Sequence, residues 1–138
     1  MNRTANAVAL KPCEDAELTT SLIKQELVEG EVYIGAIIGA NGHGHHVILL
    51  EEHQKQSMKW SAAMDWAKSI GGDLPNRIEQ TMLFDQHKSE FDNDWYWSNA
   101  QHAADPGCAW SQLFLHGYQF HDHKDCTLRA RAVRRVLI

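Results

Sequence analysis

The sequence predicts an α+β domain in which two helices pack against mainly antiparallel short strands. Strand-forming residues surround an Asn41-Gly42 pair early in the chain, which indicates a hairpin. Two stretches with helical spacing of apolar residues follow, and four short strand-like segments occupy the chain after residue 94. Helices segregated in this way against an antiparallel sheet define the α+β class.

The chain has 138 residues, which is the length of one ordinary domain. Residues 1–29 are predicted to form an N-terminal leader with a short helix over Ala16–Val28, because the leucines there recur at helical spacing. Residues 30–138 are predicted to form the α+β domain. In its hairpin, a two-residue turn at Asn41-Gly42 would pair Ile34 with Leu49.

Two helices are predicted in the middle of the chain. Apolar spacing indicates the first over Trp60–Ile70, and Gly71 ends it because glycine adopts the left-handed cap without strain. The second is predicted over Arg77–His87, with Asn76 as its N-cap and Glu79 as the capping-box partner. The predicted core residues are Ile34, Leu49, Trp60, Trp66, Ile70, Ile78, Met82, Leu83 and Trp97.

Four strands are predicted after the helices, and His116-Gly117 is the predicted turn between the middle two. Their predicted bounds are Trp95–Asn99, Ala109–Leu115, Tyr118–His123 and Leu128–Ile138.

Composition restricts the function classes. The formal net charge is −5 with neutral histidines, whereas domains that bind nucleic acid through phosphates usually carry a basic excess, so no nucleic-acid partner is expected. The longest apolar run, Val32–Ala40, is too short to span a bilayer, and no secretory signal is evident. Protonation of all nine histidines would change the charge to −5 + 9 = +4, so the surface charge should change sign in the range where histidine titrates.

The three cysteines, Cys13, Cys108 and Cys126, are odd in number and scattered, which predicts synthesis in a reducing cytoplasm rather than a disulfide framework. Cys108 and Cys126 flank the His116-Gly117 turn. A three-residue turn would place them opposite one another, and a two-residue turn would pair Cys108 with Asp125. A disulfide or a copper site there is the alternative to two small, reduced, partly buried side chains.

Five segments form an ordered set of motifs: residues 60–67 (WSAAMDWA), 71–80 (GGDLPNRIEQ), 96–98 (YWS), 109–114 (AWSQLF) and 131–134 (RAVR). This set resembles an uncharacterised phage and prophage family with a C-type-lectin-like fold. The resemblance covers roughly residues 30–136. It also extends to the ligand-displaying variable proteins of diversity-generating retroelements and, more remotely, to formylglycine-generating enzymes.

The resemblance implies a scaffold of two helices and short strands whose loops present ligand contacts. It implies no agreed activity. Sugar-binding C-type lectins hold Ca²⁺ with a Glu-Pro-Asn type loop and a Trp-Asn-Asp strand. None of Pro12, Pro75 and Pro106 lies in such a triplet, and no acid follows Trp97-Ser98-Asn99 directly. Binding is therefore expected to be independent of calcium, and no cofactor is expected.

The predicted function is that of a non-catalytic phage-type binding module for a protein or glycan partner. It would be made in the host cytoplasm and would serve either in a virion that recognises a host surface or as a small accessory protein that inhibits a host factor. A remote alternative is an oxidase related to formylglycine generation. The oligomeric state stays open.

Candidate contact residues lie in the loop predicted over Asn99–Gly107 and around the late histidines, where polar side chains suit adaptable hydrogen bonding. Trp95 is added because it follows a polar, acidic turn. The predicted contact residues are Trp95, Asn99, Gln101, His102, Asp105, His121 and His123.

Two other clusters, one of histidines and one of arginines, each have two possible interpretations. A metal site is the alternative to solvated histidines if His43, His45 and His46 meet His121 and His123 in space, but spacing alone does not bring them together. No metal ligand is therefore assigned. The arginines of the last strand are predicted to be solvated or to form salt bridges with acidic residues, with anion binding as the alternative.

Overall fold

A computed structural model describes residues 12–138, which form three α-helices, a short 3-10 helix and six strands. The α+β prediction is confirmed at this level. The helices are α1 (Pro12–Gln25), α2 (Trp60–Ser69) and α3 (Arg77–His87), and the 3-10 helix is Lys88–Glu90. The strands are β1 (Val32–Ile38), β2 (Gly44–Met58), β3 (Trp95–Gln101), β4 (Cys108–Leu113), β5 (Tyr118–His123) and β6 (Leu128–Leu137). No helix of residues 12–138 is long and apolar enough to cross a membrane.

The six strands form one open sheet in the order β1-β2-β6-β3-β4-β5. The last strand, β6, lies in the middle of the sheet, antiparallel to β2 and parallel to β3. All other neighbours are antiparallel. The sheet is therefore mixed, and its two edges are β1 and β5.

The early hairpin is confirmed, but its predicted register is wrong. Ile38 pairs with Gly44, and Val32, not Ile34, lies opposite Leu49. The connection spans residues 39–43, and the Asn41 side chain accepts a hydrogen bond from the backbone N–H of His43, which stabilises this longer turn. A bulge between Tyr33 and Gly35 shifts the register once more.

The two central helices form where the sequence predicts them. Helix α2 ends before Gly71, whose φ of 84° is the left-handed conformation that glycine adopts readily. At the start of α3, the Asn76 side chain accepts from the Glu79 N–H and the Glu79 carboxylate accepts from the Asn76 N–H, each at 2.8 Å. Helix α1 begins earlier and ends earlier than the predicted Ala16–Val28.

The core consists of two apolar clusters on opposite faces of the sheet. Alternation along β2 directs Leu49 to the cluster beneath α3 and Leu50 to the cluster beneath α2, and Tyr96 and Trp97 divide in the same way along β3. Each helix therefore covers its own face of the sheet.

Five predicted core residues differ from expectation. Ile78 is 61% exposed, because it lies on the outer side of α3. Trp60, Trp66 and Ile70 are only half-buried at the margin of the α2 cluster, and Met82 is half-buried against the α3 cluster. The predicted burial of Ile34, Leu49, Leu83 and Trp97 is confirmed.

The predicted turn between β4 and β5 is confirmed, with Gly117 at φ 79°. Its loop spans residues 114–117, so Leu113 pairs with Tyr118 and Cys108 lies opposite His123. Both predicted alternatives for Cys108 are therefore wrong, and Cys108 and Cys126 are both free thiols.

Candidate functional site

A tryptophan surrounded by an arginine and two histidines lies on the α3 side of the sheet near the β5 edge. The Arg77 guanidinium lies 3.5 Å from the centre of the Trp110 ring. The His102 ring stacks on the same indole at 5.1 Å, and the His121 ring meets it edge-on at 5.7 Å. The His102 and His121 rings are themselves 4.5 Å apart. We call these four residues the Trp110 surface.

Three structural elements build this surface. The antiparallel register of β4 and β5 places Trp110 opposite His121, so that both side chains point to the same face. Arg77 is the first residue of α3, whose start is fixed by the capping box. His102 comes from the loop between β3 and β4, which folds back so that the His102 N–H donates to the Cys108 carbonyl at 2.9 Å.

An open groove of about 580 Å³ adjoins the Trp110 surface and shares Arg77 with it. Gln119 holds the two together: its Oε1 accepts from Arg77 Nε at 3.0 Å, and its Nε2 donates to the Arg77 carbonyl at 2.7 Å. The groove is lined by Arg77, Ile78, Thr81, Met82 and Gln119. It combines an apolar wall with one cation, a mixture suited to contact with an amphipathic ligand.

Arg77 differs from the other arginines of residues 12–138. Within that part of the chain, no hydrogen bond or ion pair engages its two terminal nitrogens, whereas each of the others uses at least one terminal nitrogen. Arg129, Arg134 and Arg135 form ion pairs, and Arg131 donates to two backbone carbonyls. Three of the four arginines of the last strand are thus salt-bridged as predicted, whereas Arg131 bonds to backbone carbonyls instead, and the arginine with unused terminal donors lies on α3.

The loop of residues 102–107 is held by its own side chains. Asp105 accepts from the Gly107 N–H at 3.0 Å and from the Cys108 thiol at 3.3 Å, while His102 Nδ1 accepts from the N–H groups of Ala104 and Asp105. The Cys108 hydrogen bond holds the pKa of Asp105 below its usual value. Burial, together with the Asp105 carboxylate, raises the pKa of the Cys108 thiol and disfavours the thiolate.

Four of the seven predicted contact residues come together. His102 and His121 belong to the Trp110 surface, and both His102 and His123 lie close enough to Asp105 to lower the pKa of its carboxyl group. His123 is exposed and lies 3.6 Å from the Asp125 carboxylate.

The other three lie elsewhere, and the predicted loop boundary is wrong because β3 continues to Gln101. Gln101 accepts from Lys124 at 2.6 Å, and Lys124 lies over Trp60 beside α2. Asn99 donates to Asp73 at 2.9 Å. Trp95 is half-buried, and strand alternation places it on the sheet face opposite Trp110.

The two histidine groups considered for a metal site do not meet. His45 and His46 lie in the hairpin at the β1 edge of the sheet, and His121 and His123 lie at the β5 edge. Among residues 12–138, no cluster of three or more metal-binding side chains is present.

The early histidines instead make specific internal bonds. His45 Nε2 lies 2.8 Å from the Glu79 carboxylate, and His46 Nδ1 lies 2.8 Å from the Tyr33 hydroxyl. Arg135 donates to Glu79 and Asp73 as well. Glu79 is fully buried, and its bonds to Arg135 outweigh the effect of burial and lower its pKa. This network fixes α3 to the sheet, and both of its carboxylates, Glu79 and Asp73, are paired.

Sequence reasoning missed Arg77, Trp110 and the groove. Their signal is spatial, because Arg77 and Trp110 are distant in the chain and meet only through the packing of α3 on β4. A scan of the sequence against protein-family models gives no match, and a search of curated proteins also gives none.

Proposed function

We propose that this chain is a non-catalytic, calcium-independent binding module of the phage type, with a C-type-lectin-like fold, and that it binds a protein partner through the Trp110 surface and the adjoining groove. The observation that carries the proposal is Arg77, a cation held in place by Trp110 and Gln119 with unused terminal donors. A guanidinium fixed in this way is suited to bind a carboxylate of a partner.

The C-type-lectin-like assignment rests on the resemblance and is supported by the order of elements. The two helices and the short strands that the resemblance implies occur in this chain in that order. The chain departs from a loop-built binding face in one respect: Trp110 and His121 lie on paired strands, and only His102 comes from a loop.

A protein partner is favoured over a glycan by the state of Trp110. Sugars stack on exposed aromatic faces, but Arg77 already covers one face of this indole and His102 stacks on the same ring. The groove beside it offers Ile78 and Met82 for apolar contact. Together these features suit a peptide segment that presents an acidic side chain next to an apolar one.

Independence from calcium is supported by the acidic turn before β3. The Asp92 carboxylate lies 2.7 Å from the Arg129 guanidinium, and Asp94 lies 4.0 Å from it. Ca²⁺ needs six or more oxygen ligands, and here the nearby carboxylates already neutralise an arginine.

The test is capture from a bacterial lysate with the tagged full chain, followed by mass spectrometry. The wild-type chain is compared with Arg77→Ala/His102→Ala/His121→Ala, which disrupts the Trp110 surface, and with Ser61→Ala/Asp65→Ala/Lys68→Ala, which changes three exposed residues of α2. The proposal predicts a protein captured by the wild type and the α2 variant, in EDTA as in calcium, and lost by the first variant.

Two results would contradict the proposal: equal capture by a folded Trp110-surface variant, or capture that requires calcium. Specific binding to a glycan array, with no protein captured from the lysate, would show that the partner is a glycan. The identity of the captured protein separates the two settings, since a cell-surface protein indicates host recognition and a cytoplasmic protein indicates inhibition of a host factor.

A further inference from the structure

The two edges of the sheet differ in their protection. Strand β1 carries a bulge between Tyr33 and Gly35, and α1 contacts this strand, with the Thr20 hydroxyl 3.4 Å from the Tyr33 hydroxyl. Bulges and covering helices are devices that keep a sheet edge from pairing with another chain. The β1 edge is therefore closed to a further strand.

Strand β5 has neither device. Its pairing with β4 is regular over all six residues, Tyr118 to His123, and it contains no proline, lysine or arginine. Among residues 12–138, no segment pairs with its outer edge. A regular, unprotected edge strand presents free backbone N–H and C=O groups and is a template for pairing with another strand.

The same strand exposes aromatic side chains on the face away from α3. Phe120 is 55% exposed and Tyr118 is 65% exposed. Leu113, opposite Tyr118 on β4, and Trp95, opposite Leu113 on β3, continue this apolar row and are half-buried. Contiguous exposed apolar rows of this kind mark interaction surfaces.

The side chains of β5 are complementary to a second copy of the same strand. If two β5 strands pair antiparallel about a two-fold axis at Phe120, Phe120 lies opposite its own copy, Tyr118 lies opposite Asp122 and Gln119 lies opposite His121. The Tyr118 hydroxyl can donate to the Asp122 carboxylate across the strands, aromatic residues meet at the axis, and no like charges are opposed. A two-fold pairing requires this self-complementarity.

We propose that the chain forms a homodimer through antiparallel pairing of its β5 strands, centred on Phe120, so that two six-stranded sheets become one continuous sheet. The two Trp110 surfaces would then lie on the same face on either side of the axis, because Gln119 and His121 are opposed. This inference is independent of the proposed function, since it rests on the edge and not on Arg77.

The first test is the association state by sedimentation equilibrium of the full chain. Phe120→Lys places a charge at the axis and should weaken dimerisation by roughly tenfold or more, since like charges directly opposed are destabilising. The matched control is Ile38→Lys, because Ile38 is 56% exposed on the other edge strand. A monomeric wild-type chain at about 100 μM, or equal dimerisation of both variants, would overturn the proposal.

A second test fixes the register. In a Cys13→Ser/Cys126→Ser background, Phe120→Cys should form a disulfide-linked dimer on mild oxidation, because directly opposed strand residues have Cα atoms roughly 4.5–5.5 Å apart. Tyr118→Cys should not, since its two copies would lie about 14 Å apart along the strands. Efficient cross-linking of Tyr118→Cys with none for Phe120→Cys would reject the Phe120-centred pairing.

Discussion

Arg77 connects three parts of the molecule at the scale of one residue. Its guanidinium lies over Trp110, its Nε donates to Gln119, and its carbonyl accepts from the same glutamine. These contacts hold an exposed cation in a defined orientation without neutralising it. Ordering the Arg77 side chain costs conformational entropy that a purely solvated arginine would keep. Because this cost is already met in the free protein, a partner that binds Arg77 would not have to meet it again.

We predict that Arg77→Ala lowers the free energy of unfolding by only about 0.5–1 kcal/mol, because an exposed cation–π contact contributes that much. The same change should abolish capture of the partner. Arg77→Lys should fold normally but restore little binding, since an ammonium lacks the planar fork. Urea denaturation and the capture assay check both parts, and full binding by Arg77→Lys would show that charge alone suffices.

At this scale, local chemistry was predictable and long-range contacts were not. The capping box of Asn76 and Glu79 depends on residues three apart, so the sequence contains the whole signal. The partners of Glu79, His45 and Arg135, are distant in the chain and depend on the packing of α3 against β2 and β6. For the same reason the sequence does not indicate Arg77 as part of the proposed binding surface.

At the scale of elements, α2 and α3 cover opposite faces of the sheet, and each cluster has its own buried aromatic residues. Trp97 is fully buried beneath α2 and donates from its indole to the Met58 carbonyl at 2.8 Å. Trp66 lies at the margin of the same cluster and is half-buried. Replacing each of these two tryptophans in turn therefore tests which part of the contact between α2 and the sheet stabilises the fold.

We predict that Trp97→Ala lowers the free energy of unfolding by about 3–5 kcal/mol, since it leaves a cavity and an unpaired carbonyl. Trp66→Ala should cost less than half as much, because part of that side chain is already in water. Urea denaturation midpoints, converted with one common slope of free energy against urea concentration, give both losses of unfolding free energy. A larger loss for Trp66→Ala would contradict the burial described above.

The elements themselves were predictable, and their register was not. Helical spacing located α2 and α3 to within a residue, because a period of 3.6 is encoded locally. Hairpin register depends on loop length. In the β1–β2 hairpin the Asn41 side chain stabilises a loop of residues 39–43, and in the β4–β5 hairpin the loop spans residues 114–117. The register differs from the prediction by one residue next to the turn and by two beyond the bulge, so that Val32 takes the place predicted for Ile34 opposite Leu49.

At the scale of the whole molecule, titratable groups couple stability to pH. His46 is buried, and burial followed by the nearby His45 lowers its pKa below the ordinary 6.5. Its Nε2 is buried without a partner among residues 12–138, so the folded state favours the neutral ring. Arg134 lowers the pKa of Glu31, and Arg135 lowers that of Glu79 against the effect of burial, in both cases below 4.5.

Stability should therefore fall with decreasing pH in two stages. A histidine whose pKa is lowered in the folded state stabilises the fold fully above pH 6.5, and this stabilisation is lost as the pH falls towards the folded-state pKa. The two glutamates stabilise the fold fully above pH 4.5, and their contribution is lost as the pH falls below that value. His46→Asn should reduce the upper stage without removing it, because burial also lowers the pKa of His53, whereas His43→Asn, an exposed histidine of the same hairpin, should leave the stage unchanged. Thermal melts from about pH 8 to pH 4 measure both stages, and rising stability on acidification would refute this assignment.

The α+β class could be predicted because the order of strands and helices is visible in the sequence. The central position of β6 could not, since it depends on the last strand passing between β2 and β3 to complete both halves of the sheet. That arrangement directs Arg135 towards Glu79 and leaves β5 at the edge, so both the network under α3 and the position of the Trp110 surface follow from it.

The most direct test of the binding surface is a titration of the ¹⁵N-labelled chain with the captured partner, observed at the tryptophan indole N–H resonances. Binding through the Trp110 surface predicts a large shift or broadening of the Trp110 resonance. Trp60 and Trp97 serve as internal controls, because their indoles donate to the Ser98 and Met58 carbonyls within the fold. An unchanged Trp110 resonance with shifts at Trp60 would contradict the account and place the contact beside α2.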